Sequence, residues 1–250
     1  MTTTTIGVSL KMYFGHARAL EWIDVVASLA RSHPAIVDGS VELFVIPSFV
    51  AIPAAVSRLE GTGVLVGAQD LATEDSGAYT GEVSGAELAE VGASVVEVGH
   101  AERRSLFFET DEVVAAKTIA ALRNGLAPVL CIGESARTST EDAAAECLRQ
   151  LNSALEGAVA GRIIVAYEPV WAIGSDQPAD PSYIRAVCAQ LQTAVALLPD
   201  RENSVVIYGG SAGPGLLASL GTDVDGLFLG RFAHDPAALR AVIDEAGARA

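Results

Sequence analysis

The chain has 250 residues and half of them are hydrophobic, enough for a large core in two small domains or one barrel-sized domain. Thirty-one acids against sixteen Lys and Arg give a formal net charge of −15, which argues against nucleic acid as a partner. No apolar run reaches membrane-spanning length, and three widely spaced cysteines (Cys131, Cys147, Cys188) form no CxxC pair, which argues against a zinc site or a disulfide framework. The opening residues Met1-Thr2-Thr3-Thr4-Thr5 lack the basic-then-apolar pattern of a secretory leader, so a cytoplasmic location is expected.

Short β-branched apolar runs alternate with helical patterns along the chain. Ile6–Leu10 precedes Ala17–Arg31, which carries apolar residues at helical spacing. Val41–Ile46 leads to Phe49–Leu59. Val64–Ala68 leads to Ser84–Val91, where Ser84 and Glu87 have capping-box spacing. Ser94–Val98 leads to Asp111–Asn124, closed by Gly125. Ala127–Ile132 leads to Thr140–Ala158, with Thr140 and the acid after it as the start signal. Ile163–Tyr167 leads to Pro181–Leu198 behind Asp180, Ser204–Tyr208 to Pro214–Leu220, and Gly226–Leu229 to Pro236–Ala246 behind Asp235. Most of these strands are apolar throughout, as strands buried on both faces are. Eight strand–helix repeats predict a parallel α/β fold with right-handed crossovers, and at this length a single closed (β/α)8 TIM barrel rather than an open sheet. No linker-like segment or composition shift interrupts the pattern, so residues 1–250 are expected to form one domain.

A barrel of this kind carries its site at the C-terminal ends of its strands. Those ends read Ser9-Leu10-Lys11, Gly67-Ala68-Gln69-Asp70, Glu97-Val98-Gly99-His100, Cys131-Ile132-Gly133-Glu134, Glu168, Tyr208-Gly209-Gly210-Ser211 and Phe228-Leu229-Gly230-Arg231. Lys11, His100 and Glu168 thus converge on one mouth. Glu168 precedes Pro169, Trp171 and Gly174, a loop that could close over a gated proton transfer. On its own the stretch reads equally well as an exposed Glu and a surface loop. An acidic chain that binds an anion must do so with backbone N–H groups and a few placed cations. The turns after strands seven and eight suit that role, because barrels often hold phosphate there. Gly209-Gly210 could alternatively be only a tight turn.

Seven motifs in order over the whole chain resemble the triosephosphate isomerase family. They are Leu10-Lys11-Met12, Val66-Gly67-Ala68-Gln69, Gly77-Ala78-Tyr79-Thr80-Gly81-Glu82, Val98-Gly99-His100-Ala101-Glu102-Arg103-Arg104, Cys131-Ile132-Gly133-Glu134, the stretch from Ala166 to Gly174, and Tyr208-Gly209-Gly210-Ser211. The resemblance implies an isomerase with no cofactor and no metal. It implies Glu168 as the base and His100 as a neutral electrophile, a pairing known from this family. Lys11 would offset developing negative charge. Glu102 would be a second acid, or would simply pair with Lys11 or Arg103. Cys131 would lie near the site, with core packing the favoured role. Gly174, Ser211, Gly230 and Arg231 would hold a phosphate. The long segment Asp70–Gly81 would cross to a second subunit, with Thr80 supporting the neighbour's Lys and His, so a homodimer is expected.

The chain departs from the family in four places. Ser9 and Leu10 stand where the family has Asn and Trp, and Ala101 where it has Ser. Ser175-Asp176-Gln177-Pro178-Ala179 alters the far end of the loop after strand six, and Arg231 replaces a Gly. The chemical residues are kept while the substrate-shaping ones change. That fits the same reaction on a larger substrate, a small phosphorylated sugar such as a tetrulose phosphate, with Ser9 giving room and a hydrogen-bond partner. The residues resemble a branch of the family that isomerises such compounds, L-erythrulose 1-phosphate to D-erythrulose 4-phosphate. An ordinary triose-phosphate isomerase and a non-catalytic sugar-phosphate-binding barrel are the alternatives. A Schiff-base aldolase is disfavoured because Lys11, beside acids, should stay charged.

Overall fold

A computed structural model describes residues 3–174 and 178–249. The altered loop residues Ser175, Asp176 and Gln177 lie outside them. Among the described residues, eight strands and ten α-helices follow in order. The first half holds β1 (Thr4–Ser9), α1 (His16–Ser32), α2 (Pro34–Val37), β2 (Val41–Ile46), α3 (Ile52–Leu59), β3 (Leu65–Ala68), α4 (Gly85–Glu90), β4 (Val95–Val98), α5 (Ala101–Leu106) and α6 (Asp111–Arg123). The second holds β5 (Ala127–Ile132), α7 (Thr140–Leu155), β6 (Ile164–Tyr167), α8 (Pro181–Ala196), β7 (Val205–Tyr208), α9 (Leu216–Leu220), β8 (Gly226–Leu229) and α10 (Pro236–Gly247).

Each strand pairs in parallel with the next, and β8 returns to β1 through Val8 opposite Leu229, so the sheet closes into a barrel. The expected (β/α)8 TIM barrel is the fold. Alternation along the strands sorts side chains into two cores. Phe44, Ile46, Val95, Val129, Ile164, Ala166, Ile207 and Phe228 fill the lumen. The residues between them face outward against the helices. In α1 the buried Trp22, Ile23, Val26, Ala27 and Ala30 form the stripe that meets the strands. Among the described residues no helix is long and apolar enough to cross a membrane.

Capping follows the start signals with one shift. Ser84, Asp180 and Asp235 each accept a backbone N–H of the first turn, whereas α7 is capped by Ser139, not Thr140. Two short helices fall outside the expected pattern, α2 and α5. The second matters, because it begins directly after His100. α5 buries none of its own residues. Its Arg103 instead binds Asp70 at 2.9 Å and Glu109 at 2.5 Å. The buried Lys117 of α6 joins the same two acids at 2.5 and 2.6 Å. This ion cluster fixes α5 between the end of β3 and α6. Lys117→Met leaves two buried carboxylates short of a cation, and unfolding free energy should fall by about 3–5 kcal/mol. Urea denaturation measures this. A loss under about 1 kcal/mol would mean that Lys117 does not hold the cluster together.

Candidate active site

A cavity of about 410 Å³ opens at the C-terminal end of the barrel. Ser9, Lys11, His100, Glu102, Glu168, Gly174, Ser211, Gly230 and Arg231 all line it. Thr80 is exposed on the loop after β3 and does not.

Lys11 follows β1 in the left-handed region, with φ of 45°, unusual for a residue with a side chain. The Gln69 amide donates to the Lys11 carbonyl at 2.9 Å and holds that turn. Lys11 Nζ donates to Glu102 Oε1 at 2.8 Å. Burial pulls the ammonium down. The Glu102 bond and the charges of Glu102, Glu168 and Glu97 outweigh it, so Lys11 is held above its ordinary range and stays charged. Glu102 therefore pairs with Lys11, while Arg103 goes to Asp70 and Glu109.

His100 is the N-cap of α5, and its Nδ1 accepts the Glu102 backbone N–H at 3.1 Å. That bond leaves the proton on Nε2. Burial, then the charge of Lys11, pushes the imidazole down to about 4, so it is neutral at physiological pH. Its Nε2 stands 3.7 Å from Glu168 Oε2, beyond direct hydrogen bonding.

Glu168 leaves β6 buried, its backbone N–H donating to the Ile132 carbonyl at 2.8 Å. Its position depends on two glycines that leave it room. A Cβ on Gly133 would sit 2.0 Å from the Glu168 carbonyl oxygen. A Cβ on Gly209 would sit 2.7 Å from both Cγ and Oε1 of Glu168. Neither glycine has positive φ. Gly209 thus clears space for the carboxylate and is not there for a tight turn. Burial raises the Glu168 carboxyl to about 8; Lys11 opposes this, and Glu97 and Glu102 add to it. Oε2 is buried and has no hydrogen-bond partner among the described residues.

The loop after Glu168 is tied down at its start. Trp171 Nε1 donates to Glu134 Oε1 at 2.7 Å, and the Tyr167 and Tyr183 hydroxyls donate to the same carboxylate at 3.1 and 3.0 Å. Beyond the undescribed residues, the Ala179 N–H donates to the Tyr208 hydroxyl at 3.3 Å. Gly174, with φ of 75°, turns the loop at the cavity wall. Gly230 and the exposed Arg231 follow β8 on the same side. Cys131 is buried in the lumen cluster, and burial drives its thiol well above the ordinary range, as expected for a packing role. Among the described residues no group of three His, Cys, Asp or Glu is placed to hold a metal ion.

Two residues carry more than the sequence reading assigned them. Glu134 gathers the loop's anchoring bonds from partners 33 to 49 positions away. Glu97 is a carboxylate inside the lumen, 4% exposed. Its signal was a charge within the otherwise apolar run Val95-Val96-Glu97-Val98.

A raised carboxylate and a neutral imidazole lining one cavity, with a fixed cation beside them, are suited to moving a proton between adjacent carbons of a bound molecule. The fold and the cavity thus define a (β/α)8 barrel isomerase. The family profile described as triosephosphate isomerase matches residues 4–246. The L-erythrulose-1-phosphate isomerase of Pectobacterium atrosepticum is 52% identical over 97% of this chain and 95% of its own length. A second protein of that name, from Mesorhizobium japonicum, is 40% identical over 91% of each chain. The triosephosphate isomerase of Rhodococcus jostii is 40% identical over 88% of this chain and 87% of its own. The chain belongs to the triosephosphate isomerase family and is a sugar-phosphate isomerase.

Proposed function

We propose that the protein interconverts L-erythrulose 1-phosphate and D-erythrulose 4-phosphate through a cis-enediolate. The observation that carries the reaction is that Lys11, His100 and Glu168 line one cavity, with Glu168 Oε2 3.7 Å from His100 Nε2 and not bonded to it, which leaves both groups open to a substrate in that cavity. Glu168 takes the proton from the hydroxyl-bearing carbon beside the carbonyl. The electron pair of that C–H bond forms the enediolate double bond, and the carbonyl oxygen gains negative charge. His100 Nε2–H hydrogen-bonds that oxygen and shuttles a proton between the two enediolate oxygens. Glu168 then returns its proton to the former carbonyl carbon. Lys11 stabilises the negative charge, and Glu102 keeps the ammonium in place. The N–H groups at Gly174, Ser211 and Gly230, with the Arg231 guanidinium, receive the phosphate.

The four-carbon substrate is supported by the two relatives named for it and by Ser9. The tetrulose phosphate carries a CH2OH group where dihydroxyacetone phosphate has a hydrogen. Ser9 is short and lines the cavity, so it leaves room for that group. Dihydroxyacetone phosphate is the second reading, favoured by the similarity to the Rhodococcus protein. In this proposal residues 1–250 act as one catalytic domain of a cytoplasmic homodimer, with Thr80 of the exposed loop after β3 reaching the neighbouring subunit. Paired assays with L-erythrulose 1-phosphate and glyceraldehyde 3-phosphate test the substrate, and a higher kcat/KM on the triose would overturn it. Ser9→Asn should move the ratio of the two kcat/KM values toward the triose by about tenfold. An unmoved ratio would remove Ser9 from the size argument.

A further inference from the structure

Cations are scarce in a chain with sixteen Lys and Arg against thirty-one acids. Near the barrel mouth most of them are held by carboxylates. Lys11 pairs with Glu102, Arg103 with Asp70 and Glu109, and Arg104 with Asp111. Arg231 is the exception. It is exposed, it lines the cavity, and it makes no hydrogen bond or ion pair with any described residue. The charged groups lining the cavity are Lys11, Glu102, Glu168 and Arg231. Since Lys11 and Glu102 offset each other, Arg231 is the cation left uncompensated there.

A second such cation belongs to the same edge. Arg18, exposed in the first turn of α1, has no ion pair among the described residues, and its guanidinium lies 4.2 Å from the centre of the Phe14 ring. The Phe14 ring packs on His234 at 4.6 Å. The Tyr13 ring, which lines the cavity, meets the same imidazole edge-on at 5.3 Å. His234 ends the short turn that Arg231 begins, and Trp22 of α1 fixes that turn by donating Nε1–H to the Ala233 carbonyl at 2.9 Å. Burial first, then the charges of Arg18 and Arg231, lower the His234 pKa, so the imidazole adds no third positive charge at neutral pH. Two guanidiniums are thus gathered around one neutral ring, where β1 and β8 adjoin, with no acid bonded to either. Like charges placed this way repel, and an anion between them relieves the repulsion.

We propose that Arg18 and Arg231 form an anion-capture rim at the β1–β8 edge of the cavity, which draws the phosphate of an incoming substrate toward the phosphate loops. The rim answers a problem set by composition, because a phosphate dianion must approach a chain of formal net charge −15. A local patch of one sign at a cleft raises the concentration of the opposite charge there and speeds its arrival. The proposal rests on the substrate being a sugar phosphate and not on its number of carbons. Arg18 does not itself line the cavity, so it acts through its field on binding and leaves the proton transfer alone.

The test measures kcat and kcat/KM against ionic strength, with whichever of the tetrulose and triose phosphates the enzyme turns over faster. Its outcome is therefore separate from the four-carbon assignment. At about 0.01 M salt, where charges act over about 30 Å, Arg18→Gln should lower kcat/KM by about three- to tenfold and leave kcat within about twofold. Arg18→Glu should lower it further, and Arg18→Lys, which keeps the charge, should restore most of it. At about 1 M salt, where screening cuts the range to about 3 Å, Arg18→Gln and the wild type should converge. Inorganic phosphate, as a competitive inhibitor, reads the anion alone, and its Ki at low salt should rise in Arg18→Gln by a similar factor. Arg231→Gln should raise KM at low salt more than Arg18→Gln does, since Arg231 reaches the cavity itself. A merely structural role for Arg18 would give a loss that salt does not remove and that Arg18→Lys does not rescue. That result overturns the rim, as does a kcat/KM at low salt that neither Arg18→Gln nor Arg18→Glu moves.

Discussion

Glu168→Gln lowers kcat by about 10³–10⁴-fold, the upper range for loss of a general base. The amide keeps the shape of the side chain in the space left by Gly209, so the loss reports chemistry and not repacking. Exchange of the substrate's α-proton with solvent should vanish along with turnover, and exchange that survives would remove Glu168 as the base. The pH profile adds a second check. The base works ionised, and burial holds Glu168 at about 8, so kcat/KM of the free enzyme should rise with pH and level off above about 8. His100, held down at about 4, stays neutral across that range. The same burial has a stability consequence. An ordinary carboxyl near 4.5 releases its proton in the unfolded chain long before the folded one does. Between 4.5 and about 8 the folded state binds more protons, so rising pH costs stability. Glu168→Gln lacks this slope. It should be more resistant to urea than the wild type at pH 8.5, and the gap should shrink at pH 5.5. A variant less stable at both pH values would contradict the buried-carboxylate account.

The strands were readable because burial on both faces leaves β-branched runs with few charges. Val41–Ile46 and Ala127–Ile132 match their expected bounds in full. What escaped was structure held by long-range polar contacts. α5 buries no apolar stripe and has no periodic signal; it exists because His100 caps it and Arg103 is drawn to Asp70 and Glu109. That cap is also what fixes the imidazole tautomer, so a piece of the chemistry was hidden with the helix. Ser139 and Thr140 are both capping residues, and only the turn geometry separates them. Gly209 and Gly210 were legible as a Gly-rich turn but not in their purpose. A Cβ on Gly210 would meet the Tyr208 hydroxyl at 2.2 Å, and one on Gly209 would meet Glu168, contacts that depend on how β6 and β7 lie side by side. Glu97 was visible as a charge, but its burial required knowing that Val95, two residues before it in β4, faces the lumen.

Lys11→Met should lower kcat/KM by about 10²–10³-fold, the scale for removing one preorganised charge from a developing oxyanion. Methionine keeps the length and apolar stem and removes only the ammonium. Two accounts of Lys11 predict different companions to that loss. If Lys11 merely gripped the phosphate, kcat/KM would fall at every pH by the same factor. In this site Lys11 does more, since its charge opposes the burial of both Glu168 and Glu97 and depresses His100. Without it the Glu168 carboxyl moves above 8, so the rising limb of kcat/KM shifts to higher pH. His100 moves up from about 4 at the same time and accepts protons more readily on the acid side. The variant should therefore lose most at low pH and regain part of its activity as pH rises. Glu102→Gln is the matched control. It removes the 2.8 Å ion pair while keeping the ammonium, so it should cost less than Lys11→Met and leave Lys11 less firmly placed. A loss below tenfold in Lys11→Met, with the limb unmoved, would take the cation out of the proton transfer and leave Glu168 and His100 to act without it.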